Sequence, residues 1–288
     1  MNKGIIPINK PSEWTSFDVC NKIKHTLRQI YGKNMPKVGH LGTLDPMATG
    51  VLLVTVGKAT KLFDIMQEKQ KTYVAKFEFG KLTDTLDVTG NLLATSSVIP
   101  IKQQIEQVLP EFIGEIAQIP PKYSAKSVNG KRAYDLARNN IEFELKPSIV
   151  KIFNIELISY ENNILTLQIT CGSGTYIRAI GRDIAEKLST YAVMTELVRT
   201  QIGNFNVNSC EQPENLTTEN IQNSIIKIKD VLNLPEIKLT SVEEQKILNG
   251  QTLKTNLPDG IYALNDQFDT VALIKICNFS AKMSLFLG

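Results

Sequence analysis

Asp45 stands in the run Lys37-Val38-Gly39-His40-Leu41-Gly42-Thr43-Leu44-Asp45-Pro46-Met47-Ala48-Thr49-Gly50, where three glycines and a proline surround one acid. Such punctuation makes a shaped loop, and Pro46 pushes Asp45 toward extended backbone. With an ordinary pKa of about 3.9, a carboxylate there is ionised and available as nucleophile or base. The same residue types also cap turns, and the local sequence leaves both readings open. His40, five residues upstream, reads in isolation as a loop histidine satisfied by backbone. Tyr73 lies on the aromatic face of an alternating segment and reads as core. Tyr176 and Arg178 follow a Gly172-Ser173-Gly174 break. Arg178 is either a surface arginine or a partner for a carboxylate, worth ~4 kcal/mol at ~4 Å and an effective dielectric of about 20 before desolvation.

Several other chemistries fail on spacing. After Gly172 and Gly174 the third glycine of a dinucleotide loop falls on Ile177. Gly57-Lys58 is followed by Ala59 where a phosphate loop has Ser or Thr, and G-x-S-x-G is absent. Two histidines, His25 and His40, exclude a multi-histidine metal site within one chain. The four cysteines, Cys20, Cys171, Cys210 and Cys277, form no C-x-x-C pair. They suit a reducing compartment.

These residues need elements to carry them. Thr15-Ser16-Phe17-Asp18 signals a helix start by a capping box, and Val19, Ile23, Leu27 and Ile30 continue it at helical spacing. His25 lies off that stripe, on the surface. The Asp45 loop runs into Val51–Val56, read as a buried strand, and Lys58–Met66 as a short helix. Lys71–Phe79 alternates, with Tyr73, Ala75, Phe77 and Phe79 on one face. Ile101–Leu109 reads as helix and Ile164–Cys171 as strand. Ile177, Ile180, Ile184 and Leu188 mark a further helix. Glu211–Asn223 is polar, as a linking surface segment would be. Ser241-Val242-Glu243-Glu244 reads as a second capping box, with Gly250 as the stop. Short strands follow from Gly260. The expectation is an α+β body with a small, mostly β appendage.

At 288 residues the chain is long enough for two domains, and 42% hydrophobic with 21% charged residues is ordinary globular composition. No apolar run approaches a membrane span, and Pro7 interrupts the apolar start, so a soluble, cytoplasmic protein is expected. The net charge of +3 conceals a partition. Residues 1–80 carry +6, residues 122–138 carry +4, and the rest is negative. That is the footprint of a polyanion-binding face, or of a lysine-rich solvated surface.

Together these segments resemble the TruB family of tRNA pseudouridine synthases. The likeness is carried by Gly4–Ser16 with Asn9-Lys10-Pro11, by Gly39–Gly50, and by Lys71-Thr72-Tyr73. It continues through Gly80 with Thr83-Asp84-Thr85-Leu86-Asp87 and Gly90. Then come Pro120-Pro121 with Tyr123-Ser124-Ala125, Val128–Tyr134, Cys171–Arg178 with Gly181-Arg182-Asp183, and Leu197 with Arg199-Thr200. The resemblance implies a pseudouridine synthase mixed-sheet catalytic domain over residues 1–232 and a PUA-like domain over 233–288. It implies isomerisation of uridine 55 in the tRNA T-stem-loop by base flipping, without cofactor or metal, by a monomer. Asp45 would be the catalytic aspartate, Arg178 its partner, and Tyr73 the ring that stacks on the uracil and handles the C5 proton. Tyr176 and Leu197 would line the uracil pocket, His40 would lie against the RNA, and Lys10 near the cleft. Lys122, Lys126, Lys131 and Arg132 would hold phosphates without reading sequence. Residues 233–288, with five Lys against six Asp/Glu, offer little electrostatic grip. Two other readings compete: a non-catalytic tRNA-binding or tRNA-folding protein on the same scaffold, and a glycosidase of free uridine. Asp45, Tyr73 and Arg178 together argue against the first, and the basic segment argues against the second.

Overall fold

A computed structural model describes residues 3–288. Its body is one large mixed sheet. The order across it is Gly4–Lys10, Thr49–Val56, Ala192–Ile202, Lys71–Phe79, Ile164–Cys171, Ser148–Glu161 and Gly114–Gln118. Val38–Leu41 adds to Thr49–Val56 and Phe205–Asn206 to Ala192–Ile202. Every pairing is antiparallel except one. Thr49–Val56 meets Ala192–Ile202 in parallel over two residue pairs only, Val198 with Thr49 and Arg199 with Gly50.

The alternation expected of Lys71–Phe79 is present: Tyr73, Ala75, Phe77 and Phe79 are buried and the residues between them half-buried. Their face carries the main core, closed by the helix Ile177–Lys187 and by Ile105, Leu109 and Phe112. Gly181 brings that helix down, since a Cβ there would lie 2.2 Å from the Phe77 ring. The first helix, Ser16–Tyr31, starts with the reciprocal Thr15–Asp18 box and buries Val19, Ile23 and Leu27 on Leu52, Val54 and Val56.

Three local expectations change. Residues 57–67 begin as the 3₁₀ stretch Gly57–Leu62 and become α-helical only at Phe63–Gln67. The later helix Ser241–Leu248 takes Thr240, not Ser241, as its cap, and Glu243 answers it. The chain has an S/T pair there, and the hydroxyl three residues before Glu243 wins. Residues 211–226 are no free linker. Pro213, Leu216 and Ile221 are buried, and bridges from Ile8 to Glu211 and from Ile5 to Ile226 strap the segment along the sheet's edge. An edge strand so covered offers no free ladder to other chains.

Beyond it lies the expected small sheet, ordered Leu253–Lys254, Ser280–Phe286, Thr270–Cys277 and Gly260–Asn265. It has its own core of Ile237, Ile247, Tyr262, Ile274 and neighbours. Leu273 and Leu287 leave that core and join Ile5, Leu53 and Leu232 of the body. Lys3 Nζ donates to the Thr270 and Leu287 carbonyls at 2.7 and 2.8 Å.

Candidate active site

Asp45 sits at the crown of the loop between Val38–Leu41 and Thr49–Val56, with a third of its side chain exposed. Arg178, in the first turn of the Ile177–Lys187 helix and only 7% exposed, grips both carboxylate oxygens. Nε is 2.9 Å from Oδ2 and Nη2 donates to Oδ1 at 3.2 Å. The same guanidinium donates to the Thr85 carbonyl at 2.8 Å and the Tyr123 carbonyl at 3.1 Å, and faces Asp87 Oδ2 at 3.6 Å. A forked, charge-assisted pair of this kind fixes the direction of a carboxylate as well as its charge. The surface reading of Arg178 is thereby excluded. Asp87, buried, is fixed in turn by the hydroxyls of Thr85 and Thr89.

The loop is held from beneath. Ser16 Oγ both accepts from the Leu44 amide and donates to the Leu44 carbonyl. The Glu13 amide donates to the Pro46 carbonyl at 2.9 Å, and the Ala48 amide to the carbonyl of Asp45 itself. Lys10, expected at the cleft as a substrate contact, is instead fully buried under the loop. Its Nζ donates to the carbonyls of Pro11, Trp14 and Pro46 at 2.8, 2.7 and 3.1 Å. An ammonium has three protons, all spent there, so none is left for a substrate. Burial pushes its pKa down to about 8, against the pull of the Asp45 charge.

Tyr73, Ile177 and Leu197 belong to the main core, to which the Asp45 loop contributes Leu44 and Ala48. Tyr73 is buried, as its strand position suggested, and its ring lies against the Arg199 guanidinium, with Cζ 6.0 Å from the centroid. Burial raises the phenol above its ordinary value of 10.0, and the Arg199 charge opposes this. Tyr73 is therefore neutral at neutral pH. Tyr176 is half-buried just before the helix. Its amide donates to Gln118 Oε1 at 2.9 Å and its carbonyl accepts from Gln118 Nε2 at 3.2 Å. His40 is half-buried; burial first, then the Arg199 charge, lower its pKa, and its Nδ1 is enclosed without a partner.

The four basic residues stand on one exposed segment, Lys122 and Lys126 before a hairpin and Lys131 and Arg132 on its second strand. Ser127–Val128 and Lys131–Arg132 form a two-stranded hairpin through Asn129 and Gly130, both at positive φ, followed by the short helix Ala133–Arg138. Lys122, Lys126, Lys131 and Arg132 are all exposed, with Lys126 bonded to Ser148 Oγ and Arg132 to the Ala125 carbonyl. The segment joins the site directly through the Tyr123 carbonyl that Arg178 holds.

Gln118, Asp87, Ser16 and Arg199 were not assigned roles from the sequence. Asp87, Ser16 and Arg199 lie inside the motif blocks, but nothing in their spacing says which atoms they meet. Gln118 stands outside those blocks.

Comparison with known proteins follows the same lines. The family model for the N-terminal domain of TruB family pseudouridylate synthases matches residues 28–177. The tRNA pseudouridine synthase B of Clostridium kluyveri is 42% identical over 252 residues, 87% of this chain and 85% of that protein. The tRNA pseudouridine synthase B of Mycoplasma mobile is 36% identical over 289 residues, covering 99% and 95%. A solved H/ACA RNP bound to a substrate RNA containing 2'-deoxyuridine holds a chain of the same fold, with a TM-score of 0.71 at 23% identity over 99% of this chain and 85% of that one.

Proposed function

This chain belongs to the TruB family of pseudouridylate synthases, and from that premise we propose that it isomerises uridine 55 in the T-stem-loop of tRNA, with Asp45, Arg178 and Tyr73 as its working groups. The reaction breaks the C1'–N1 bond and forms C1'–C5. One hydrogen leaves C5 and one arrives at N1, so no atom is gained or lost. Such chemistry needs an anionic group fixed beside sugar and base, and the observation that carries the reading is the forked Asp45–Arg178 pair at the exposed crown of the loop. Arg178 takes one lone-pair direction on each carboxylate oxygen, and the carboxylate, a third exposed, keeps the others for the substrate. A base inside a folded RNA loop is reached only by flipping, at a cost of a few kcal/mol. Stacking on a neutral Tyr73 ring returns ~1–3 kcal/mol of it. Leu197 and Tyr176 complete the pocket, and His40, neutral and half-buried, sits against the RNA. Tyr73 also passes the C5 proton, its neutral phenol taking one proton as it gives up another, with the Arg199 guanidinium at its ring.

Lys122, Lys126, Lys131 and Arg132 hold phosphates along the basic segment that ends in the hairpin. The chain divides near residue 232 into the catalytic sheet and the PUA-like sheet, a division supported by the separate Ile237–Ile274 core. In this reading it works as a monomer in the cytoplasm. No helix among the described residues is long and apolar enough to cross a membrane.

The test uses an unmodified tRNA transcript tritiated at uridine C5. Wild-type protein releases one tritium per tRNA and places a single carbodiimide-dependent stop at the T-loop uridine. Asp45→Asn releases none, a loss of several orders of magnitude, while its tRNA affinity stays near wild type. Tight binding without release by the wild type would establish the RNA-binding alternative instead.

A further inference from the structure

Arg199 heads the fully buried side chains by volume, at 1% exposure. A guanidinium out of water is costly unless its donors are met. Among the described residues no carboxylate lies within ion-pair distance of it; its donors go to backbone carbonyls. Nε donates to the Val51 carbonyl at 2.7 Å, Nη2 to the Gly42 carbonyl at 3.1 Å, and Nη1 makes a long contact with the Thr43 carbonyl at 3.5 Å. Gly42 and Thr43 precede Asp45, and Val51 follows it, so one side chain bridges both limbs of the loop.

The backbone of Arg199 does the rest. It pairs with Gly50 on one side and with Tyr73 on the other. Gly50, at φ +106°, admits no side chain, because a Cβ there would lie 2.2 Å from the Arg199 carbonyl oxygen. Lys10 and Ser16 also hold the loop, but they tie it to the N-terminal segment. Arg199 ties it to the strand beside Tyr73, whose ring its guanidinium backs.

We propose that Arg199 is a positioning residue for the reaction, clasping both limbs of the Asp45 loop while backing the Tyr73 ring, so that carboxylate and phenol keep one fixed separation. The assignment rests on the roles given above to Asp45 and Tyr73. A lysine would keep a cation but not the fork that spans Gly42 and Val51.

The experiment compares wild type, Arg199→Lys and Arg199→Ala by single-turnover tritium release, tRNA affinity and circular dichroism at the assay temperature. Arg199→Lys stays fully folded and binds tRNA within about threefold of wild type, yet turns over about thirtyfold or more slowly. Arg199→Ala loses more, and millimolar guanidinium, but not sodium at equal concentration, restores part of its rate. The assignment is overturned if Arg199→Lys turns over at the wild-type rate, or if its loss of rate is matched by a loss of folded fraction or of binding. Where Arg199→Ala does not fold, Arg199→Lys decides. An inactive wild type sinks the functional reading and this assignment with it, whereas an active wild type with a fully active Arg199→Lys sinks the assignment alone.

Discussion

Three cations, Lys10, Arg178 and Arg199, lie buried around one partly exposed carboxylate; Lys10 and Arg199 spend their donors on carbonyls of the surrounding chain, and Arg178 divides its own between carbonyls and the Asp45 carboxylate. Lys10 makes this arrangement pH-dependent. In the folded protein it gives up its proton near pH 8, whereas in the unfolded chain it keeps it to about its ordinary 10.5. Between those values the unfolded state binds more protons, so this group makes the fold more stable as pH rises. The neutral amine, however, has two protons for three carbonyls, and the Pro46 carbonyl beside Asp45 is the longest of the three bonds. The single-turnover rate is therefore expected to fall above pH 8 while urea stability does not fall with it. Lys10→Met is expected to be slower by about tenfold or more at pH 7, a loss the size of one unmet polar contact, and to lack that alkaline limb. A wild-type rate level to pH 10 would show that the loop does not depend on the ammonium. The sequence displayed Asp45 well, because its loop punctuation is local. It hid the direction of Lys10, because a lysine beside a motif looks the same whether it faces substrate or a carbonyl.

The elements were legible where a single periodicity governs them, as in Lys71–Phe79 and the helix Ile177–Lys187. They were less so where tertiary contacts decide. The strap over residues 211–226 is polar by composition, yet it contributes Leu216 and Ile221 to the core because an edge strand needs covering. Two glycines mark where elements are pressed together for the site's sake. At Gly181 a Cβ would meet an aromatic ring, which can shift. Gly181→Ala is expected to cost about 1–3 kcal/mol in urea unfolding, and to slow turnover because Arg178 rides on that helix. At Gly50 the obstruction is backbone and φ is positive, so neither partner can yield. Gly50→Ala is expected to exceed about 3 kcal/mol. Equal effects at the two positions would mean that the strand contact at Gly50 is not needed.

At the scale of the molecule the charge partition, visible in the sequence, becomes a place: the basic segment 122–138 is a loop, a short hairpin and a short helix joined to the site through the Tyr123 carbonyl. Removing charge at Lys131 and Arg132 together should lower the slope of log affinity against log salt by about 1.4–1.8, at roughly 0.7–0.9 per phosphate contact. An unchanged slope would place the phosphates elsewhere. The docking of the small sheet was not legible, since Leu273 and Leu287 look like any core residues of their own unit until they are found against Ile5 and Leu53.

The large sheet is stitched between its second and third strands, Thr49–Val56 and Ala192–Ile202, by two residue pairs, while its other main seams run the length of their strands. Asp45 stands on one side of that short seam and Tyr73 on the other. Side chains, chiefly Arg199, do there what a hydrogen-bond ladder does elsewhere, and side chains let go before ladders do. Under mild denaturant or gentle heating the sheet is expected to part at this join first, with tritium release lost at a lower urea concentration than the circular dichroism signal; coincident losses would show that the join is no weaker than the rest. Where it parts first, catalysis would fall silent while strands and helices still stand.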